Sequence, residues 1–225
     1  MSAAMLGLLL DAFLETLVMV AISSTLAGLV GVPLGVVLVA TGHGHIRENA
    51  VVNRGLGAVV NAGRSTPFII LLVAIIPFTR LLVGTSIGTA AAIVPLTIAA
   101  IPFVARLSEA ALREVDPGLI EAAQSMGASP MQIVAKVLIP EALPGLVATI
   151  TITVVNLIGY SAMAGAVGGG GLGDLGIRYG YQRFLPEVML AVVVILIVLV
   201  QGVQSVGDRV ARRLNKRLVR SQPNA

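Results

Sequence analysis

Residues 188–207 read VMLAVVVILIVLVQGVQSVG, twenty residues without one charged side chain. About 20 apolar residues are enough for a helix to cross the hydrocarbon core of a bilayer, so this run predicts a membrane-spanning helix. The whole chain has the same character, because 56% of its 225 residues are hydrophobic and 12% are charged. Soluble domains carry about 25% charged residues. The composition therefore excludes an ordinary soluble domain, and the lack of cysteine excludes disulfides and thiolate metal sites.

Four more runs without charged side chains predict four more spans: residues 16–46, 65–79, 81–105 and 142–173. The run 65–79 is short for a span, so its helix is expected to begin near Ala58 and to carry Arg64 close to its inner end. There Arg64 would anchor the helix at the inner surface or meet an acid. A sixth crossing is disfavoured by the four glycines at 168–171. The fold class predicted is an all-α, polytopic membrane protein with five transmembrane helices.

The basic residues predict the orientation of these helices, because short cytoplasmic loops are enriched in Lys and Arg. With the N-terminus outside and the C-terminus inside, 12 of the 15 basic residues lie on the inner side; the outer three are Arg80, Arg178 and Arg183. No basic residue precedes Asp11, which argues against a signal peptide. Residues 1–208 then form one transmembrane domain, and 209–225 form a basic cytoplasmic tail. That tail contains no aromatic residue, so we expect no nucleic-acid partner.

One inner loop, at about residues 107–141, is long enough to hold structure of its own. Asp116 and Pro117 are typical of a helix start, and Gly127 is typical of a residue just past a helix end. They predict a short helix over residues 117–126, and a second segment that starts at Ser129–Pro130 and ends before Pro140. The first helix aligns four apolar residues at helical spacing: Leu119, Ala122, Ala123 and Met126. It would dock in a groove of another protein or lie flat on lipid headgroups, although it lacks the Lys and Arg residues that headgroup binding favours.

The same loop resembles the EAA loop of bacterial ABC-importer permeases. The resemblance rests on Glu121-Ala122-Ala123, on Gly127 after three intervening residues, and on the run VLIP at 137–140. In that family this loop forms a coupling helix that sits in a cleft of the ATPase subunit. The resemblance thus implies an ATPase-coupling site, with residues Glu121, Ala122, Ala123, Met126 and Gly127.

Further stretches resemble the methionine-importer permeases within this family. They are RSTPFIILL at 64–72, IPFTR at 76–80, VGTSIG at 83–88, MGASPMQIV at 126–134 and GYSAM at 159–163. The resemblance implies a homodimer in the bacterial cytoplasmic (inner) membrane that imports methionine, often as both enantiomers. It also implies two ATPase subunits and an external, lipid-anchored substrate-binding protein as partners. The alternatives are a permease for another amino acid or small solute, and a small integral-membrane enzyme.

The chain itself offers no candidate motor, catalytic set or metal site. Neither of its two lysines follows a phosphate-cradling glycine loop, so ATP and Mg²⁺ are expected in the partner ATPase and no cofactor in this chain. The pattern GLGDLG at 171–176 matches a dinucleotide fingerprint but lacks the surrounding βαβ unit. We interpret it as tight packing, with contact to the binding protein as the alternative. His43, His45 and Glu48 are too few for a defined metal shell and predict a solvated loop.

A polar stripe on the fourth span is the candidate translocation path. Its members recur at helical spacing on one face: Thr149, Thr153, Asn156, Tyr160 and Met163. Polar residues in a span face the bundle interior or a water-filled cavity, and a two-fold dimer would use this face twice. The alternative is hydrogen bonding between packed helices. The resemblance, more than the chemistry of a thioether, implies that Met163 is a gate at the outer end of this path.

Overall fold

A computed structural model describes residues 3–215, and within this range the regular structure is helical. A polytopic, all-α architecture is thereby confirmed. The helices are α1 (Ala3–Ala40), α2 (Ala50–Ser65), α3 (Phe68–Ala74), α4 (Ile76–Val83), α5 (Thr89–Arg113), α6 (Pro117–Ser125), α7 (Pro130–Ile133), α8 (Ile139–Ala166), α9 (Gly171–Leu175) and α10 (Pro186–Leu214).

Four helical stretches of the described chain are long and apolar enough to cross a membrane: α1, α5, the continuous stretch Pro130–Ala166 and α10. Their bounds differ from the charge-free runs, because charged residues near span ends are still helical. Helix α1 begins before Asp11 and Glu15 and ends at Ala40 rather than at 46. Helix α5 begins at Thr89 rather than at 81, since residues 81–83 belong to α4, and it runs eight residues past the predicted end at 105, to Arg113. The fourth span ends at Ala166, before the glycines, and not at 173.

The region of the predicted second span consists of two helices joined at a sharp bend, which corrects the prediction of one helix from near Ala58. Helices α2 and α3 are long and apolar enough to cross a membrane only when they are taken together. Their axes meet at an angle of 99°. The break lies at Thr66 and Pro67, where Thr66 is extended with φ −80° and ψ 122°. Proline disfavours the helical conformation in the residue before it, so the sequence Thr-Pro ends α2 there.

The helix after Ser129 does not stop before Pro140, and that prediction is wrong. It continues from α7 through a π-helical turn, Val134–Leu138, directly into α8. Pro140 is among the first residues of the new α-helical register, where a missing N–H costs little. Helix α10 is likewise continuous across the predicted domain boundary at 208 and ends at Leu214. Residues 216–225 of the predicted tail lie outside the described residues.

The core lies where α1, α5 and α8 meet. Helices α1 and α5 approach closely along two glycines, since a Cβ on Gly31 or Gly35 would lie 2.7 Å from the Cβ of Val104 or Ser108. Such small residues let membrane helices pack at short range. The ends of α1 and α5 near Ala40 and Arg113 lie at the end of the bundle that carries α6. The orientation of this end toward the cytoplasm stays a prediction.

Candidate functional site

Helix α6 is a short helix with both ends satisfied locally. At its start the Asp116 carboxylate accepts a hydrogen bond of 2.8 Å from the backbone N–H of Gly118, and Pro117 takes the first helical position. At its end Gly127 adopts φ +78°, and the N–H of Ala128 bonds back to the Ala123 carbonyl at 3.1 Å. The predicted helix is confirmed to within one residue, because Met126 is its C-cap.

The two sides of α6 differ in burial. Ile120 and Ala123 are buried and join a cluster that includes Val115, Ile133 and Leu138. The prediction that Ala123 belongs to one exposed ridge with Leu119, Ala122 and Met126 is therefore wrong. Sequence reasoning missed Ile120 as the anchor, although its spacing of three from Ala123 was a signal for it.

The opposite side of α6 presents apolar groups and a carboxylate to the surroundings. Leu119 is 43% exposed and Met126 is 81% exposed, and Ala122 is also exposed. Glu121 is exposed on the same short helix and makes no ion pair within residues 3–215. An anchored helix with an uncovered apolar side matches the format of a helix that docks in a partner's groove.

A buried carboxylate holds together the end of α5 that leads into α6. Glu109 is 7% exposed and accepts from Arg106 at 2.6 Å and from the Nη2 of Arg113 at 2.9 Å. Burying a charge is stable only when it is paired and hydrogen-bonded, and both conditions are met here. Sequence reasoning missed this cluster, although its i, i+3 and i, i+4 spacing on one helix was a readable signal.

The polar stripe lies on α8 as predicted, but its two halves have different surroundings. Thr149 and Thr153 are buried inside the chain, and the Thr153 hydroxyl donates to the Thr149 carbonyl at 2.8 Å. Tyr160 is half-buried and stacks on Phe68 of α3, with ring centroids 4.5 Å apart. Asn156 is half-buried and Met163 is 49% exposed. The open half of the stripe therefore comprises Asn156, Tyr160 and Met163.

The glycine-rich segment, residues 165–176, closes the other end of α8. The Glu15 carboxylate accepts from the backbone N–H of Gly171 at 2.6 Å, and the Thr16 hydroxyl accepts from Leu172 at 2.9 Å. A side chain on Gly173 would overlap the backbone of Ala162 in α8. The interpretation of the glycine pattern as tight packing is thus confirmed. Sequence reasoning missed the role of Glu15 and Thr16.

The histidine loop between α1 and α2 fits its predicted solvated character at His43. This side chain is 96% exposed, and its Nδ1 lies 2.7 Å from Oε1 of Glu48. The hydrogen bond to Glu48 raises the pKa of His43, and the same bond lowers the pKa of Glu48. His45 is half-buried, and burial together with Arg113 lowers its pKa. Within the described residues no three potential metal ligands come together.

Comparison with known proteins finds similar membrane-transport proteins over nearly the whole chain. The family model described as "Binding-protein-dependent transport system inner membrane component" matches residues 31–220. The "Probable D-methionine transport system permease protein MetI" of Vibrio cholerae is 61% identical over 210 residues, which cover 93% of both chains. The "D-methionine transport system permease protein MetI" of Escherichia coli K12 is 57% identical over 165 residues, covering 73% of this chain and 76% of that one.

A solved structure described as "Inward facing conformations of the MetNI methionine ABC transporter" superposes with a TM-score of 0.95 at 54% identity, over 96% of this chain and 100% of that chain. The chain thus belongs to the family of binding-protein-dependent transport system inner membrane components.

Proposed function

We propose that this chain is the permease subunit of an ATP-driven importer that moves methionine, as the L and D enantiomers, across the bacterial inner membrane. The observation that carries the proposal is the 54% identity and 0.95 TM-score over 96% of the chain to the MetNI methionine transporter. Relatives at 61% and 57% identity carry the name of D-methionine permeases. The arrangement of α6 and of the open half of the stripe supports the same function.

The subunit acts as a homodimer with two cytoplasmic ATPase subunits, which bind ATP and Mg²⁺, and with an external, lipid-anchored substrate-binding protein. One chain with four or five spans cannot easily surround a path for a polar solute, whereas a two-fold dimer presents each path-lining face twice. Helix α6 supplies the ATPase contact through its exposed Leu119, Glu121 and Met126. Gly127, with its left-handed backbone, ends the helix at this surface.

Coupling is a rigid-body movement passed from the ATPase to the bundle. When ATP closes the ATPase pair, α6 moves with it, and the buried contacts of Ile120 and Ala123 carry the movement to the start of α8. The Glu109 cluster keeps the end of α5 rigid during this step. At the far end of α8, Met163 from each protomer closes the path lined by Asn156 and Tyr160. Thr149 and Thr153 are buried in the chain, so they stabilise the packing of this helix on the side away from the path.

Transport in reconstituted vesicles tests the cargo. Vesicles that contain the permease, the ATPase and the binding protein should take up labelled L-methionine only with ATP, and unlabelled D-methionine should compete. Other amino acids serve as control competitors and should have little effect. Competition by another amino acid in preference to methionine would replace the cargo and leave the permease class unchanged.

A charge reversal on α6 tests the coupling site. Glu121→Lys should weaken ATPase binding about tenfold, as expected when a hydrogen bond to a charged group is lost and a like charge is introduced, while membrane insertion stays normal. Glu114→Lys makes the same charge change at an exposed acid outside α6 and should bind normally. Co-purification and ATPase rates measure both variants, and equal binding by the two would contradict the assignment.

A further inference from the structure

Arg64 lies within the length of the helical bundle rather than at its end. Helix α2 starts beside the end of α1, where the Asn53 amide donates to the Leu38 carbonyl at 2.7 Å. Two residues before its own end it packs against α5, since a Cβ on Gly63 would lie 3.0 Å from Cγ of Pro102. Pro102 is close to the midpoint of the 25-residue helix α5. Because Arg64 follows Gly63, its Cα lies at the level of the middle of α5.

The backbone next to Arg64 is irregular at this same depth. Arg64 is in the last turn of α2, and the chain then bends by 99° at Thr66 and Pro67. Ser65, Thr66 and Pro67 are exposed, so the rest of the described chain does not cover the break. Non-helical backbone at membrane depth is tolerated where it is buried in protein or lines a water-filled cavity. In the proposed dimer the break is therefore either covered by the partner protomer or faces a water-filled cavity, and the charge of Arg64 beside it, unpaired within the described residues, favours the cavity.

The charge of Arg64 leads to the same conclusion independently. The side chain is exposed and makes no ion pair within residues 3–215. Eleven residues, about 16 Å of helix, separate Pro102 from the end of α5 at Arg113, which is further than an arginine side chain extends. Intramembrane cations face the bundle interior or water and mark solute pathways. Arg64 is thus a cation in the path rather than the inner-surface anchor that the sequence also allowed.

The aromatic stack places this cation beside the open half of the stripe. Phe68 follows Arg64 by four residues and stacks on Tyr160 with ring planes 3° apart. The stack holds the start of α3, and with it the break, against α8. We propose that Arg64 binds the carboxylate of the amino acid cargo inside the membrane. The planar guanidinium suits a carboxylate because it donates two parallel hydrogen bonds. This assignment rests on the proposed import of an amino acid.

Transport by charge variants tests the assignment in the complete reconstituted importer. Arg64→Gln should lower methionine uptake about tenfold or more, the loss expected for a hydrogen bond to a charged group. Arg64→Lys keeps the charge without the bidentate geometry and should retain more uptake than Arg64→Gln. Arg54→Gln, exposed on the same helix beside the end of α1, should stay within about twofold of the wild type. Uptake by Arg64→Gln within twofold of the wild type would overturn the proposal.

Thiol labelling tests the site without relying on transport, because the chain contains no cysteine. Arg64→Cys should react with a charged, membrane-impermeant thiol reagent in the assembled importer, and methionine should slow the reaction. Val198→Cys, exposed on the apolar α10, should stay unlabelled. An unreactive Arg64→Cys would overturn the proposal even if Arg64→Gln fails to accumulate. If the wild type moves no methionine but Arg64→Cys is labelled without protection by methionine, the proposed function and the carboxylate site both fail, and only the water-filled surface remains.

Discussion

Two short segments, one before the continuous helical stretch Pro130–Ala166 and one at its end, are stabilised in opposite ways. The proposed coupling segment, residues 116–129, has both helix ends capped by its own residues, yet it leaves Leu119 and Met126 uncovered. The glycine-rich segment, residues 165–176, relies on residues 156 positions away as acceptors for two of its backbone N–H groups, and it buries Leu172 completely. Exposed apolar groups on an otherwise complete helix indicate a surface that a partner covers. The apolar surface of the glycine-rich segment is instead covered by other parts of the same chain.

The largest effect should come from filling the space that the glycine-rich segment leaves. Gly173→Ala places a Cβ into the backbone of α8 at Ala162, and backbone cannot move aside as a side chain can. Overpacking of this kind costs about 3 kcal/mol, so the thermal midpoint in detergent should fall clearly. Gly55→Ala, on the exposed side of α2 with nothing within 4 Å, should be neutral or stabilising. Equal midpoints would show that the segment is not held tightly against α8.

A smaller effect should follow from removing one distant hydrogen bond. Thr16→Val keeps the shape of the side chain but leaves the buried N–H of Leu172 without the acceptor that it has at 2.9 Å. An unsatisfied buried donor costs about 1–3 kcal/mol. Thr25→Val removes a hydroxyl that bonds only to the carbonyl four residues earlier on the exposed side of the same helix. We expect Thr16→Val to lower the midpoint of thermal unfolding more than Thr25→Val does. Equal midpoints would mean that the N–H of Leu172 finds another acceptor.

These two segments also show what local sequence can predict. Asp116, Gly127 and Ser129–Pro130 act on residues within a few positions, so their roles in starting and ending helices could be read directly and are confirmed. The bonds of Glu15 and Thr16 join residues 156 positions apart, and no local pattern marks such a pair. Glycines could be assigned to packing, but the helix against which they pack could not be named.

The prolines show a second limit, because one residue type has two outcomes here. Pro67 ends α2 and bends the chain by 99°, whereas Pro140 sits inside a helix that a π-helical turn carries onward. A missing N–H and a restricted preceding residue are common to both positions. The outcome depends on which neighbours pack around the freed backbone, and this information is tertiary. For the same reason, the position of Arg64 along the bundle could not be predicted from the sequence, because it follows only from the contact between Gly63 and Pro102.

The smallest predicted effect is confined to the coupling segment. It tests whether the local caps of α6 keep this helix folded. Asp116→Ala removes the acceptor for the N–H of Gly118, and losing an N-cap costs about 1 kcal/mol. Because only Ile120 and Ala123 of α6 are buried, this cost should appear as local opening and leave global unfolding nearly unchanged. Hydrogen exchange over residues 118–126 should be roughly fivefold faster, the factor that corresponds to about 1 kcal/mol.

Glu114→Ala is the matched control for this measurement, since Glu114 is exposed and lies just before the cap. Its exchange over residues 118–126 should equal that of the wild type. If both variants exchange alike, α6 is held by its buried side alone and not by its cap. If Asp116→Ala instead loosens the glycine-rich segment as well, the two ends of α8 are coupled, and the contrast between a self-contained and a dependent segment no longer holds. A helix that opens more often also binds a partner less tightly by the fraction of time it is unfolded, so ATPase binding should weaken only slightly.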